Sequence, residues 1–261
     1  FSWIADLRTP EGEITLKNAV LRLGEDDEIE LLAAEGEPAP LLPGATIAAL
    51  DLVDPPFTIN NHAIGRADDI STAFRAAISG APADDDELIY HVDASGNFSI
   101  LIREGDTPPG YSEEFAFEVS SVFALLPFHK PFMNRNGQIA FVARIAGPGV
   151  VDGGVMYFFD PLVGEVRKVL GPGDTIDLAG DGSDPREVIS VIGFGPLGQS
   201  PVDSPLTDAG HMAFTALVDG GPGGDTTVVL VAEPAGERAD GLVDSRRARS
   251  RRAPITPPFS L

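Results

Sequence analysis

The chain is 261 residues long, has no cysteine, and carries 18 basic against 40 acidic residues, a formal net charge of −22. A surface this acidic repels nucleic acid and anionic membranes, whose recognition rests on a surplus of Lys and Arg. The lack of cysteine excludes a disulfide framework and a thiolate metal site, and no apolar run is long enough for a membrane span.

The chain opens inside a strand pattern, Ser2-Trp3-Ile4-Ala5-Asp6-Leu7, with no charged-then-apolar leader in front of it. An N-terminal truncation is therefore expected, with any export signal lying outside the sequence. ITLKNAVLRL and IELLAAEGE follow as two strands joined by the acidic turn Gly24-Glu25-Asp26-Asp27, and Pro38, Pro40 and Pro43 break the pattern. Residues 45–60 are extended and apolar, ending near Asn60-Asn61, and a strand begins again at about Ile70. Glu87–Tyr90 and Asn97–Arg103 form a pair split by Asp93-Ala94-Ser95-Gly96. After REGDTPPG comes an apolar run from Phe115 to Phe132, interrupted by Pro127 and Pro131.

That run leads into the central stretch, Met133 to Gly147. Asn136-Gly137 predicts a two-residue type I′ hairpin turn with both residues at positive φ. Beyond it, Ile139, Phe141, Ala143 and Ile145 fall on the main apolar face of a strand, with Gln138, Ala140, Val142 and Arg144 on the other. Val155–Phe159, a turn over Asp160–Gly164, and Glu165–Leu170 follow. Next come GPGDTIDLAGDGSDP, the strand Val188–Gly195, a fourth turn and strand over Leu206–Gly220, and a last strand in Thr226–Pro234. No segment sustains a helical period.

Two markers recur in phase. An aromatic-x-Ala-x-aliphatic strand starts at Trp3, Phe74, Phe141 and Phe214, each about seventy residues after the last. A Gly-acid-Pro element recurs around Gly36, Gly105 and Gly173 with the same period. The chain is thus expected to be all-β and propeller-like, built of four-stranded antiparallel blades of about seventy residues. About three and a half to four blades fit, as a closed small ring or an arc of a larger propeller. An open stack or a pair of β-sandwiches is the rival geometry. The repeat domain spans residues 1–234, with repeats near 1–69, 70–136, 137–206 and, partial, 207–234. Residues 235–261, with Arg238, Arg246, Arg247, Arg249, Arg251 and Arg252, read as a disordered basic tail.

Asn134-Arg135-Asn136-Gly137-Gln138-Ile139-Ala140-Phe141 fits the pattern NxxGxxAF, and the chain resembles the bacterial tandem-repeat proteins known by it, the "choice-of-anchor NxxGxxAF" family. Thr207-Asp208-Ala209-Gly210-His211-Met212-Ala213-Phe214 fits with Thr replacing the leading Asn, and Ala73-Phe74 keeps the final pair. Glu104–Pro109 is similar to the companion element of those repeats. The resemblance covers residues 1 to about 234. It implies an exported, surface-associated protein, usually with a C-terminal sorting segment, and no established chemistry. The ending SRRARSRRAPITPPFSL departs from the family, having no apolar anchor.

Chemistry-bearing residues are sparse. His62, His91, His129 and His211 do not recur at one repeat position, and there is no nucleophile elbow, P-loop or dinucleotide fingerprint. Asp174, Asp177, Asp181 and Asp184, interleaved with Gly180 and Gly182, are the one candidate metal site, for Ca²⁺; solvated turn chemistry is the plainer reading. Asp84–Asp86 and Glu25–Asp27 are expected to be solvated turns. Asn134, Asn136, Gly137, Asp208 and Gly210 are expected to be structural turn residues. The leading expectation is a non-catalytic secreted or surface-displayed scaffold or binding module, with no cofactor unless calcium and with a protein or glycan partner. The alternative is an extracellular propeller enzyme acting on a polymer such as a glycan, its site in the central channel.

Overall fold

The computed structural model describes residues 2–23, 28–50, 71–81, 85–117, 131–193, 206–220 and 224–233. These residues form strands and no helix. Four antiparallel sheets follow one another along the chain. Sheet 1 holds β1 (Ser2–Arg8), β2 (Ile14–Leu23) and β3 (Ile29–Glu35). Sheet 2 holds β4 (Thr46–Leu50), β5 (Thr72–Ser79), β6 (Glu87–Val92) and β7 (Phe98–Arg103). Sheet 3 holds β8 (Ala116–Phe117), β9 (Phe132–Met133), β10 (Ile139–Gly147), β11 (Val150–Asp160) and β12 (Glu165–Leu170). Sheet 4 holds β13 (Thr175–Asp177), β14 (Pro185–Gly193), β15 (Met212–Val218) and β16 (Thr226–Ala232).

All pairings are antiparallel, and strands pair with their neighbours in sequence except in sheet 3, where β8 and β9 both pair with β10. The aromatic-x-Ala-x-aliphatic strands are β1, β5, β10 and β15, and their aromatics occupy one register. Phe74 lies opposite Tyr90, Phe141 opposite Tyr157, Phe214 opposite Leu230, and Trp3 opposite Leu21. Each sheet after the first begins with the strand that follows the Gly-acid-Pro element, ahead of the point where the sequence period is written by one strand in sheet 2 and by two in sheets 3 and 4.

The sheets stack face to face, and always the same way round. Phe74, Ala76 and Ile78 pack towards sheet 1 with Val20, Leu32 and Ala33. Phe141, Ala143 and Ile145 pack towards sheet 2 with Ala73 and Ile89. Phe214, Ala216 and Val218 pack towards sheet 3 with Ala140, Val142, Met156 and Phe158. The face bearing Phe74, Phe141 or Phe214 is called the front of sheets 2, 3 and 4, the face of Leu21 is its equivalent by register in sheet 1, and the opposite face is the rear. This corrects one expectation: β10 is not apolar on a single main face, since Ala140 and Val142 are as fully buried as Phe141 and Ile145. An inner sheet of a stack has a neighbour on both sides, so both sets of alternating residues leave water.

The Gly-acid-Pro element makes each junction. Gly36, Gly105 and Gly173, at φ +86°, +81° and +84°, turn the chain where a side chain would be strained. Each then donates its N–H to a strand of the next sheet: Gly36 to the Ile47 carbonyl on β4 at 2.8 Å, Gly105 to Phe117 on β8 at 3.1 Å, Gly173 to Val188 on β14 at 3.0 Å. The same three strand residues donate back to the carbonyls of Glu37, Asp106 and Asp174 at 2.9, 3.2 and 2.8 Å. One two-bond clamp thus fixes three successive junctions.

Candidate functional site

The residues that fit NxxGxxAF converge at one end of the stack, where the core strands begin. Their turn differs from the type I′ hairpin expected. Gly137 has φ +73°, but Asn136 is not among the residues at positive φ. The Asn134 N–H donates to the Gln138 carbonyl at 3.0 Å and the Gly137 N–H to the Asn134 carbonyl at 3.1 Å, the pattern of a three-residue loop closed by a left-handed glycine. The cause is the Asn134 side chain. Its Oδ1 accepts from the N–H groups of Asn136 at 3.0 Å and Gln138 at 3.1 Å, so it takes up the amides and leaves Asn136 in an ordinary conformation. Thr207 repeats the device: its N–H donates to the His211 carbonyl at 2.9 Å, Gly210 at φ +79° donates to the Thr207 carbonyl, and the Thr207 Oγ1 accepts from the His211 N–H at 3.1 Å. Asp93-x-x-Gly96 closes the β6–β7 hairpin with the same two backbone bonds. Its carboxylate is held below the ordinary range, chiefly by the Asn97 side-chain amide.

The two NxxG turns are bonded to each other. Asn134 Nδ2 donates to the Thr207 carbonyl at 2.8 Å, Asn136 Nδ2 to the Asp208 carbonyl at 2.6 Å, and the Arg135 N–H to Asp208 Oδ1 at 3.0 Å. Ser71, at the entry to β5, continues the row: its hydroxyl faces Met133 Sδ at 3.7 Å, and a Cβ on Gly137 would stand 3.3 Å from its oxygen. Asn134 is 5 % exposed, so its amide works in a desolvated setting. The structure thus brings together Asn134, Asn136, Gly137, Asp208 and Gly210 in one ladder of backbone-satisfying bonds.

Asp174, Asp177, Asp181 and Asp184 are not gathered in this way. Asp174 accepts from Lys168 Nζ at 2.9 Å and from the Gly171 N–H at 2.8 Å. Asp177 caps the β13–β14 hairpin loop, accepting from Gly182, Asp184 and Ala179 N–H groups, and the Gly182 bond above all holds its carboxylate below the ordinary range. Asp181 accepts from the Ser183 N–H and Asp184 from Arg186 Nε. Among the described residues no group of three or more Asp, Glu or His side chains is arranged to hold a metal ion. His211 is exposed, and His91 is buried against Phe159 with ring centroids 5.1 Å apart. His62, His129, Asp84, Glu25–Asp27, Asn60, Asn61 and the arginines from Arg238 onward lie outside the described residues.

A third cluster sits at the junction of sheets 2 and 3. Glu87 opens β6 and Glu104 directly follows β7; they are 6 % and 3 % exposed, and the Glu104 N–H donates to the Glu87 carbonyl at 2.8 Å. Burial pushes the Glu87 carboxyl up to about 7, against the opposing pull of Arg75. Burial likewise pushes Glu104 up to about 7, with the side chain of Asp86 adding to it. Glu87 Oε2 and the Tyr157 hydroxyl are buried without a hydrogen-bond partner among the described residues. Two carboxyls held half-protonated near neutrality are the groups here best suited to moving a proton.

Residues 2–237 match the family of unknown function DUF7453. The chain belongs to that family. No curated protein and no solved structure matches it.

For this DUF7453 chain, the sequence pointed to Asn134, Asn136, Gly137, Asp208 and Gly210 as turn residues but not to the bonds between their turns, and it did not point to the carboxyl pair. Glu87 follows the acidic run Asp84–Asp86, which hid it among expected solvated charges. The available signal was Arg75, a cation set inside the apolar pattern Phe74-Arg75-Ala76, which needs an anion nearby if it is buried. No helix among the described residues is long and apolar enough to cross a membrane.

Proposed function

We propose that this chain is a non-catalytic module that scaffolds or binds a protein or glycan partner outside the cell or at its surface, built as a propeller-like stack of repeats of the NxxGxxAF kind. One observation carries the reading. The residues that define the repeat, Asn134, Asn136, Gly137, Thr207, Asp208 and Gly210, spend their hydrogen-bonding capacity on their own turns and on the next turn in the row. What recurs in the repeat is the means of stacking sheets, as in modules selected for shape and display. The resemblance of the repeats supports export.

The runner-up is an extracellular propeller enzyme acting on a polymer such as a glycan. Glu87 and Glu104 favour it, because a carboxyl raised to about 7 has the character of a general acid. Incubating the purified chain with a panel of bacterial envelope polysaccharides separates the two. Retention of a polysaccharide without release of new reducing ends is the expected result. Release of reducing ends that is lost in Glu87→Gln or Glu104→Gln would overturn it in favour of the enzyme.

A further inference from the structure

Within the chain, the front of one sheet always covers the rear of the sheet before it. Position by position, that rule identifies what the last sheet lacks. On the rear of sheet 3, Ala140 lies opposite Phe158 and Val142 opposite Met156, and all four are at most 8 % exposed because sheet 4 covers them. Counting from Phe141 and Phe214, the equivalent pairs on sheet 4 are Ala213 opposite Val231 and Thr215 opposite Val229. Thr215 is buried, but Val229 is 48 % and Val231 37 % exposed, and Ile189 and Ile192 on β14, across β15 from them, are 37 % and 36 %. The residues are still apolar, and their cover is missing among the described residues.

The front of sheet 1 is the complementary surface. In sheet 2, Tyr90 lies opposite Ile100 and Val92 opposite Phe98, and Ile100 and Phe98 pack in the cluster shared with sheet 1. The equivalents in sheet 1 are Leu21 opposite Leu31 and Leu23 opposite Ile29. Leu21 is buried, but Leu31 is 45 % and Ile29 64 % exposed.

We propose that a second copy of this chain covers the rear of sheet 4 with the front of its own sheet 1, continuing between chains the contact that joins successive sheets within one. The contact is heterologous, so it closes into a ring if the stacking rotation permits and otherwise extends. Because each copy carries a net charge of −22, long-range repulsion opposes the contact and added salt strengthens it, the reverse of an association held by ion pairs.

Mass measured by sedimentation over a range of protein and salt concentrations tests this with two variants, Val229→Glu with Val231→Glu at one end and Ile29→Glu with Leu31→Glu at the other. All four side chains are exposed in the single chain, so folding is retained and is checked by circular dichroism. Wild type is expected to rise from 27.4 kDa towards multiples of it as concentration and salt increase, and each variant alone to stay at 27.4 kDa. An equimolar mixture of the two variants retains one unaltered end on each and regains a species of twice that mass. Wild type that remains at 27.4 kDa throughout overturns the proposal and leaves the face to a different partner. A sheet 1 variant that associates like wild type overturns it in favour of a back-to-back contact.

Discussion

The junction between sheets 2 and 3 and the junction between sheets 3 and 4 share one backbone plan and differ in chemistry. Behind sheet 3, Ala140, Val142, Met156 and Phe158 meet Val188, Val191, Phe214 and Ala216, an apolar seam crossed by the hydrogen bond from the Gly154 N–H to Ser190 Oγ and free of carboxyls in that cluster. Behind sheet 2, the same rear positions alternate Ala73 with Arg75, and Glu87 and His91 with Ile89, all buried. They lie on the side of the sheet that packs on the aromatics of sheet 3. The repeat therefore specifies where sheets touch and leaves free what seals them. An apolar seal depends on fit and is indifferent to pH. A seal that holds Glu87 and Glu104 depends on their protonation.

The largest effect is expected from breaking the fit of the apolar seam. Gly154 on β11 donates its N–H to Ser190 Oγ at 2.8 Å, and a Cβ there would collide with the Val191 carbonyl oxygen, which is backbone and cannot swing aside. Gly154→Ala should lose about 3 kcal/mol or more by denaturant titration. Gly164 is the control. It sits at φ +74° with open space around it, so Gly164→Ala meets only backbone strain and should cost about 1 kcal/mol. Equal losses in the two variants would mean that the sheets are not in close contact at Gly154.

The polar seam should respond to pH instead. Glu87 and Glu104 have ordinary values of 4.5 and stand at about 7 when folded. Raised carboxyls make the folded state bind more protons than the unfolded one. The stability they contribute is complete below about pH 4.5 and is lost as pH rises through about 7. Unfolding free energy should fall by on the order of 2 kcal/mol between pH 5 and 8, with Glu87→Gln flattening the slope. The lowered carboxylates of Asp93 and Asp177 act in the opposite sense, losing stability as pH falls below the ordinary range of Asp, so the two effects occupy separate windows. A profile as flat in wild type as in Glu87→Gln would show that water reaches the pair.

Both junctions share the turn row, and cutting it should weaken the stack by a smaller amount. Asn134→Ala removes two acceptor bonds within the turn and the donor bonds to Gln138 Oε1 and to the Thr207 carbonyl, at an expected cost of about 1–2 kcal/mol. Asp208→Ala removes the exposed anchor of the Arg135 N–H and should cost less than Asn134→Ala. If the two cost the same, the buried Asn134 amide is not the centre of the ladder.

The sequence made the strands and their shared register legible, because period-2 alternation and glycine-bearing turns are local properties. It led to the right residues at Asn134–Gly137 but to the wrong turn type. The dipeptide Asn136-Gly137 suggests one conformation, while Asn134, two residues earlier, imposes another by binding the amides itself. It could not show Ala140 and Val142 as buried, since Gln138 and Arg144 on the same face argue for water, and only the next sheet decides otherwise. Glu87 was illegible for the same reason. Whether a carboxylate that ends an acidic run is solvated or sealed depends on a strand far along the chain.

The smallest effect is expected at the Asp177–Asp184 loop, and calcium is the probe. An oxygen-seeking cation needs several carboxylate or carbonyl oxygens turned to one point. Here the oxygens are already committed: Asp177 to three backbone N–H groups, Asp174 to Lys168, Asp184 to Arg186. To bind Ca²⁺ the loop would have to surrender the bonds that close its own hairpin, and the Gly182 N–H would lose its partner. Millimolar calcium should therefore leave the thermal midpoint unchanged in wild type and equally unchanged in Asp181→Asn and Asp184→Asn. A rise in wild type that both variants abolish would mean that the ion repays that rearrangement, by linkage of binding to folding. The loop would then be a site made by its ligand, and the junctions of sheet 4 would answer to calcium as those of sheet 2 answer to protons.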